Sequence, residues 1–146
     1  MQYQKILIVC AGNICRSPIA EGLLKQSLPD HFIASAGIAA LVDHPADDKA
    51  IRVAQVHGLD LSAHKAKQLT PQMCLFADLI LVMEERQIDA VASIQPLARS
   101  KTMLLGQWTA VKNIPDPYQK HEGFFEDVYR QVSASCSTWA AKLKPI

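Results

Sequence analysis

Short apolar runs rich in β-branched residues alternate along the chain with longer stretches whose apolar positions recur every three or four residues. The first run, Lys5-Ile-Leu-Ile-Val9, is continuous and predicts a strand buried on both faces. After the loop Cys10 to Ser17, Ser17 suits a helix N-cap and Pro18 the first helical position, so a helix is expected over Pro18 to Ser27 with Ile19, Leu23 and Leu24 on one face. His31 to Ala36 predicts a second strand. Pro45 and Asp47 precede a helical pattern with Ile51, Val53 and Val56 as apolar positions and Gly58 as its stop. Pro71 to Phe76 predicts a short helical turn, Asp78 to Met83 a third strand, Glu84 to Ile94 a helix ending near Pro96, and Lys101 to Leu105 a fourth strand. Residues 106–123 carry Gly106, Pro115, Pro117 and Gly123 without periodicity and predict a long loop, of the kind that is usually functional. Phe125, Val128, Val132, Cys136, Trp139 and Leu143 then mark one face of a final helix.

Strands alternating with helices imply βαβ units and a parallel sheet covered on both faces, an α/β class. Ligands of such sheets bind beyond the carboxyl ends of the strands. The loop after the first strand is therefore the first place to look for chemistry.

The 146 residues predict one domain, 1–146, and the apolar and charged fractions, 49% and 20%, are those of a globular protein. A net charge of +1 excludes the broad basic footprint of nucleic-acid binding. The apolar stretch Ile6 to Val9 is too short for a signal-peptide core or membrane span, which points to a cytoplasmic protein without membrane insertion. Stable disulfides are rare in that compartment. The cysteines at 10, 15, 74 and 136 include no Cys-x-x-Cys pair, so no zinc site is expected.

Taken singly, Cys10 is a buried structural residue and Arg16 a surface charge. Together, in a loop joining a buried strand to a helix N-terminus, they make an anion site. Gly12 permits close backbone approach or a positive φ, and Asn13 tolerates the left-handed region. Such a loop can turn successive N–H groups inward as a nest, with the helix dipole and the Arg16 fork adding positive potential. Thiols beside helix N-termini and cations ionise readily. The loop can thus hold a phosphate with a thiolate beneath its phosphorus. An acid for the leaving group is expected at Asp116, fixed between Pro115 and Pro117 in a loop that leaves the same sheet edge.

These residues bring the chain to a family. Val9-Cys-Ala-Gly-Asn-Ile-Cys-Arg-Ser-Pro-Ile-Ala-Glu21, Ser35-Ala-Gly37, His64, Leu79 to Met83 and Asp116-Pro-Tyr118 resemble the low-molecular-weight protein tyrosine phosphatases over nearly the whole chain, and most of all the bacterial branch associated with exopolysaccharide export. The resemblance implies a three-layer sandwich with a central four-stranded parallel sheet, flavodoxin-like (the phosphotyrosine protein phosphatase I fold). It implies in-line attack by Cys10 on phosphotyrosine, a phosphocysteine intermediate, Arg16 and the amides of Ala11, Gly12, Asn13, Ile14 and Cys15 as the phosphate cradle, Asp116 as acid and then base, and Ser17 as donor to the sulfur. No metal or cofactor is required.

The resemblance extends to supporting residues. Asn13, Ser35 and His64 match positions that hold the loop in shape. Tyr118 matches an aromatic wall for the phosphotyrosine ring, and Leu41 the opposite wall, where some relatives carry an aromatic residue. Cys15 is expected to guard Cys10 through a transient disulfide. Cys74 and Cys136 are expected to be core packing. The implied partners are a phosphotyrosine protein, with a tyrosine autokinase as the one opposed, and inorganic phosphate or vanadate as competing ligands; the assembly is expected to be a monomer or weak dimer. Two other functions remain open on sequence. A thiol-linked arsenate reductase shares this loop but needs two further cysteines close together. A catalytically silent phosphate-binding module would lack the acid at 116.

Overall fold

The chain is described here by a computed structural model covering residues 3–144. Four parallel strands form one sheet: β1 Lys5–Cys10, β2 Phe32–Gly37, β3 Leu79–Val82 and β4 Thr102–Leu104, in the order β2-β1-β3-β4. The helices are α1 Arg16–Ser27, α2 Asp48–Val56, α3 Pro71–Phe76, α4 Glu85–Ile94 and α5 Glu122–Leu143, with a 3-10 helix at Pro96–Lys101 leading into β4. Both the α/β class and the three-layer arrangement are as expected from the sequence.

Strand side chains alternate between faces, so the sheet divides its apolar residues into two cores. Ile6, Ile8, Ile33, Leu79 and Leu81 face one layer, where they meet Ile19 and Leu24 of α1, Val53 of α2, and Phe125, Val128, Val132 and Trp139 of α5. Leu7, Val9, Ala36, Ile80 and Val82 face the other, against Cys74 of α3 and Val91 of α4. Burial on both faces explains why β1 and β3 are continuous apolar runs rather than alternating ones.

Three local expectations are revised. α1 begins at Arg16 with Cys15 as its N-cap, not at Ser17, because the Ser17 hydroxyl is committed to the loop rather than to the helix backbone. The buried face of α2 is Ala50, Val53 and Ala54, whereas Val56 is 83% exposed. α5 begins at Glu122, capped by the His121 side chain, so the long loop ends slightly earlier than predicted.

The sheet order places the carboxyl end of β1 between those of β2 and β3. Three chain segments therefore leave one edge together: the loop after Cys10, the segment after Gly37, and the turn after β3 that begins at Met83. β4 adds the fourth, and Trp139 of α5 donates its Nε1–H to the carbonyls of Leu104 and Leu105 where the chain departs toward residue 116.

Candidate active site

The loop from Cys10 to Cys15 is held from outside by its carbonyls. Those of Cys10, Ala11, Gly12 and Ile14 accept from the N–H groups of Ile38, Ala39, Leu41 and Asp47, at 2.9–3.1 Å. The Asn13 carbonyl lies 2.6 Å from His64 Nε2, which must then donate. With these carbonyls turned outward, the N–H groups turn inward. Among the described residues, none of the N–H groups of 11–15 bonds to a protein acceptor. α1 adds its N-terminus without a side-chain cap and without an acid in its first turn. The loop is thus the inward nest that its sequence predicts, open to an anion.

Asn13 carries the turn. Its φ is 59°, the left-handed region that asparagine tolerates better than most residues. Gly12 needs no positive φ, so the freedom expected of it is not used. The tight approach is at Gly37 instead, where an added Cβ would stand 2.7 Å from the Ala11 carbonyl oxygen and 3.0 Å from Asn13 N.

The Asn13 side chain is fully buried and orders the bonds around it. Its Oδ1 accepts from Lys67 N at 2.9 Å, so Nδ2 faces Ser17 Oγ at 2.8 Å and Ser35 Oγ at 2.9 Å. Each serine oxygen receives a hydrogen from Asn13 and keeps its own proton for another acceptor. The Ser35 hydroxyl donates a hydrogen bond to Glu21 Oε1. Ser17 Oγ lies 2.9 Å from Cys10 Sγ, and the direction of the chain makes Ser17 the donor to sulfur.

Arg16 reaches across the edge. It is 1% exposed; Nη1 donates to Glu84 Oε1 at 2.6 Å and to the Ile114 carbonyl at 2.8 Å. Nη2 lies 3.6 Å from Asp116 Oδ2, and Nε, also buried, has no partner in the protein. One arm of the fork is therefore anchored and the other side is left for a ligand. The same contact positions Asp116. Ile114 is fully buried, with its N–H on the Met83 carbonyl and its carbonyl on Arg16, and Asp116 follows two residues later between two prolines. Asp116 Oδ1 also accepts from Tyr118 N at 3.1 Å, and Tyr118 lines the same cavity.

These groups enclose a cavity of about 210 Å³ lined by Cys10, Ala11, Gly12, Ile14, Cys15, Arg16, Ala39, Leu41, Asp116 and Tyr118. Leu41 and Tyr118 both line it. Asn13, Ser17, Ser35 and His64 lie in the layer that supports it.

Two residues escaped the sequence reading. Glu84 anchors Arg16, and Glu21 accepts the Ser35 hydrogen bond. Glu84 had a signal that could have found it: it stands two residues past the end of β3, the neighbour of β1 in the sheet, and so leaves the same edge as Cys10.

The low molecular weight phosphotyrosine protein phosphatase family matches residues 5–145. The chain belongs to that family. Among its relatives is the low molecular weight protein-tyrosine-phosphatase Etp of Escherichia coli, 48% identical over 143 residues, which are 98% of this chain and 97% of the relative. The tyrosine phosphatase Wzb of Escherichia coli, crystallised with sulphate, superposes with a TM-score of 0.96 at 46% identity, covering 98% of this chain and all of the other. The Vibrio vulnificus Wzb complex with benzylphosphonate gives 0.94 at 46% identity, covering 97% and 99%. This phosphatase is accordingly a hydrolase.

The remaining cysteines sit apart. Cys74 packs beneath one face of the sheet and Cys136 beneath the other, both buried, with burial pushing both thiols up. They are on opposite sides of the sheet and provide no close pair for a disulfide relay, which argues against arsenate reduction. Cys15 lines the cavity. Burial, then the charges of Asp47, Cys10 and Asp116, push its thiol up against the opposing pull of Arg16. Among the described residues no helix is long and apolar enough to cross a membrane.

Proposed function

We propose that the chain, acting as one domain over residues 1–146, hydrolyses protein phosphotyrosine through a phosphocysteine. The observation that carries this is the loop of acceptor-free N–H groups with Cys10 and the half-anchored Arg16 lining one cavity. The Cys10 thiolate attacks phosphorus in line as the bond to the tyrosine oxygen breaks. Asp116, protonated, gives its proton to that oxygen. The N–H groups of residues 11–15, the α1 N-terminus and the free side of Arg16 meet the equatorial oxygens, where charge is held during transfer. Water then attacks the phosphocysteine and gives its proton to the Asp116 carboxylate; phosphate leaves and the thiolate returns. The Ser17 hydroxyl supports negative charge on the sulfur in both steps. Asn13, Ser35 and His64 maintain the loop.

Leu41 and Tyr118 form the walls that receive the aryl ring. Sulphate and benzylphosphonate bound to the two Wzb relatives support phosphate and vanadate as competing ligands, and an aryl group as the bound part of the ester. The role we assign is to oppose a tyrosine autokinase in polysaccharide production or export, the role that the resemblance implies. Dephosphorylation of such a kinase by the purified protein tests it.

The chemistry has a direct test. Para-nitrophenyl phosphate should be hydrolysed in the presence of chelator and inhibited by vanadate; an absence of hydrolysis at every pH would falsify the reading. Asp116→Ala should lower the rate on phosphotyrosine peptides by about 100-fold or more, the usual scale of general acid–base catalysis. The loss should be much smaller for esters with good leaving groups, which need no proton. Equal losses on both would assign the acid to another residue.

Cys15 we read as a redox guard. Peroxide oxidises Cys10 to a sulfenic acid, Cys15 attacks that sulfur with release of water, and a thiol reductant reopens the disulfide. Burial disfavours the Cys15 thiolate, and the order we assign therefore begins with peroxide at Cys10. Wild type should recover activity after peroxide followed by thiol, and Cys15→Ser should recover only a small part; equal recovery removes the role.

A further inference from the structure

A second cavity of about 200 Å³ lies beyond the wall formed by Ala11 and Ala39, lined by those two residues with Ile38, Arg86, Gln87 and Ala90. Ala11 and Ala39 also line the reaction cavity, so the two hollows share one ridge, closed by the hydrogen bond from Ala39 N–H to the Ala11 carbonyl. The two hollows are therefore adjacent.

Four of its six lining residues are aliphatic, and the two polar side chains, Arg86 and Gln87, each have hydrogen-bond donors to offer. Gln87 is only 4% exposed, and its Oε1 accepts from Met83 N at 2.9 Å and Glu84 N at 3.0 Å. Backbone N–H groups can only donate, so these two bonds fix the amide and leave Nε2 as its free end. Among the described residues Nε2 makes no hydrogen bond. Arg86 has one ionic contact, from Nε to Glu84 Oε2 at 3.3 Å, and is otherwise exposed. Its remaining donors are available at the rim. A group that packs on Ile38 and Ala90 and accepts hydrogen bonds at its tip satisfies both demands. A glutamate side chain has that form: two methylenes ending in a carboxylate.

We propose that this cavity is a substrate subsite that takes a glutamate side chain close in sequence to the phosphotyrosine. The proposal rests on the phosphotyrosine reading given above. The carboxylate accepts from Gln87 Nε2 and from the Arg86 guanidinium, both charge-assisted bonds, while the stem covers Ile38 and Ala90. A glutamine in its place keeps the shape and loses the charge. A lysine brings a cation to Arg86, which provides discrimination by repulsion as well as by attraction.

The test is a set of phosphotyrosine peptides carrying glutamate, glutamine or lysine singly at each of three positions on either side, with kcat/KM measured for each. One position should favour glutamate over glutamine by about tenfold, the scale of one charge-assisted bond, and over lysine by more. Arg86→Glu should invert the order of glutamate and lysine at that position, and Ala90→Leu, which fills the cavity, should flatten it. Ratios between peptides on one enzyme cancel any effect of a variant on the chemical step. A wild type with no position at which glutamate and glutamine differ by more than twofold overturns the subsite, as does an Arg86→Glu variant that keeps the glutamate preference. If para-nitrophenyl phosphate is turned over and no phosphotyrosine peptide is, the underlying substrate reading fails instead, a result distinct from hydrolysis without preference.

Discussion

Cys10→Ser should leave a folded protein that binds phosphotyrosine and does not turn it over. Cys10 is 2% exposed at the end of β1, and a serine there fits the same space and keeps a partner in Ser17 Oγ, 2.9 Å from the sulfur it replaces. The carbonyls that shape the loop bond to residues 38–47 and to His64, none of which involves the sulfur. The cradle therefore survives, with Arg16 still anchored by Glu84 and Ile114. A hydroxyl without a base nearby is a far weaker nucleophile than a thiolate. Turnover of a phosphotyrosine peptide should fall by about 10,000-fold or more, as when the nucleophile of other covalent enzymes is removed. Calorimetric titration with the same peptide should give a dissociation constant within a few-fold of the wild-type KM. Residual turnover within about tenfold of wild type would rule Cys10 out as the nucleophile.

Arg16→Lys should be the second largest loss, although it preserves charge. The guanidinium holds Glu84 and the Ile114 carbonyl with one nitrogen and still presents Nε and Nη2 to a ligand. A single ammonium cannot do both. If it stays with Glu84, the phosphoryl oxygens lose their clamp. If it turns to the ligand, the Ile114 carbonyl is left buried without a donor, which costs about 1–3 kcal/mol. A drop in kcat of about 1,000-fold is expected, near the upper end of what one charge-stabilising donor provides. Thermal unfolding should fall with it, because Ile114 ties the Asp116 loop to β3 through the Met83 carbonyl. A variant with near-wild-type kcat would show that the fork is not needed for the transition state.

Much of this site can be read from residues that are neighbours in sequence. Cys10, Asn13, Arg16 and Ser17 occur within one loop, and strand and helix patterns on either side say where that loop must stand. Asp116 is marked by its two prolines. What sequence proximity does not carry is pairing across the sheet. Glu84 lies 68 residues from Arg16, and only the order β2-β1-β3-β4 brings the two together. Glu21 looks like an ordinary exposed acid of α1 until β2 sets Ser35 beside it. The start of α1 differs from its local sequence signal for a related reason. A serine before a proline has every local feature of a cap, but Asn13 and Cys10 compete for the same hydroxyl and win it. The exposed Val56 shows the limit of counting apolar residues, since small alanines at 50 and 54 fill the face against α5.

The fully buried Asn13 amide ties the loop at once to α1, to β2 and to the segment before Leu69. A loop joined to three parts of the core cannot open without disturbing them, so its backbone holds one shape with or without an anion. Accommodation between one phosphoester and another must then come from the rim, where Tyr118 is 43% exposed, and the floor beneath stays invariant from substrate to substrate.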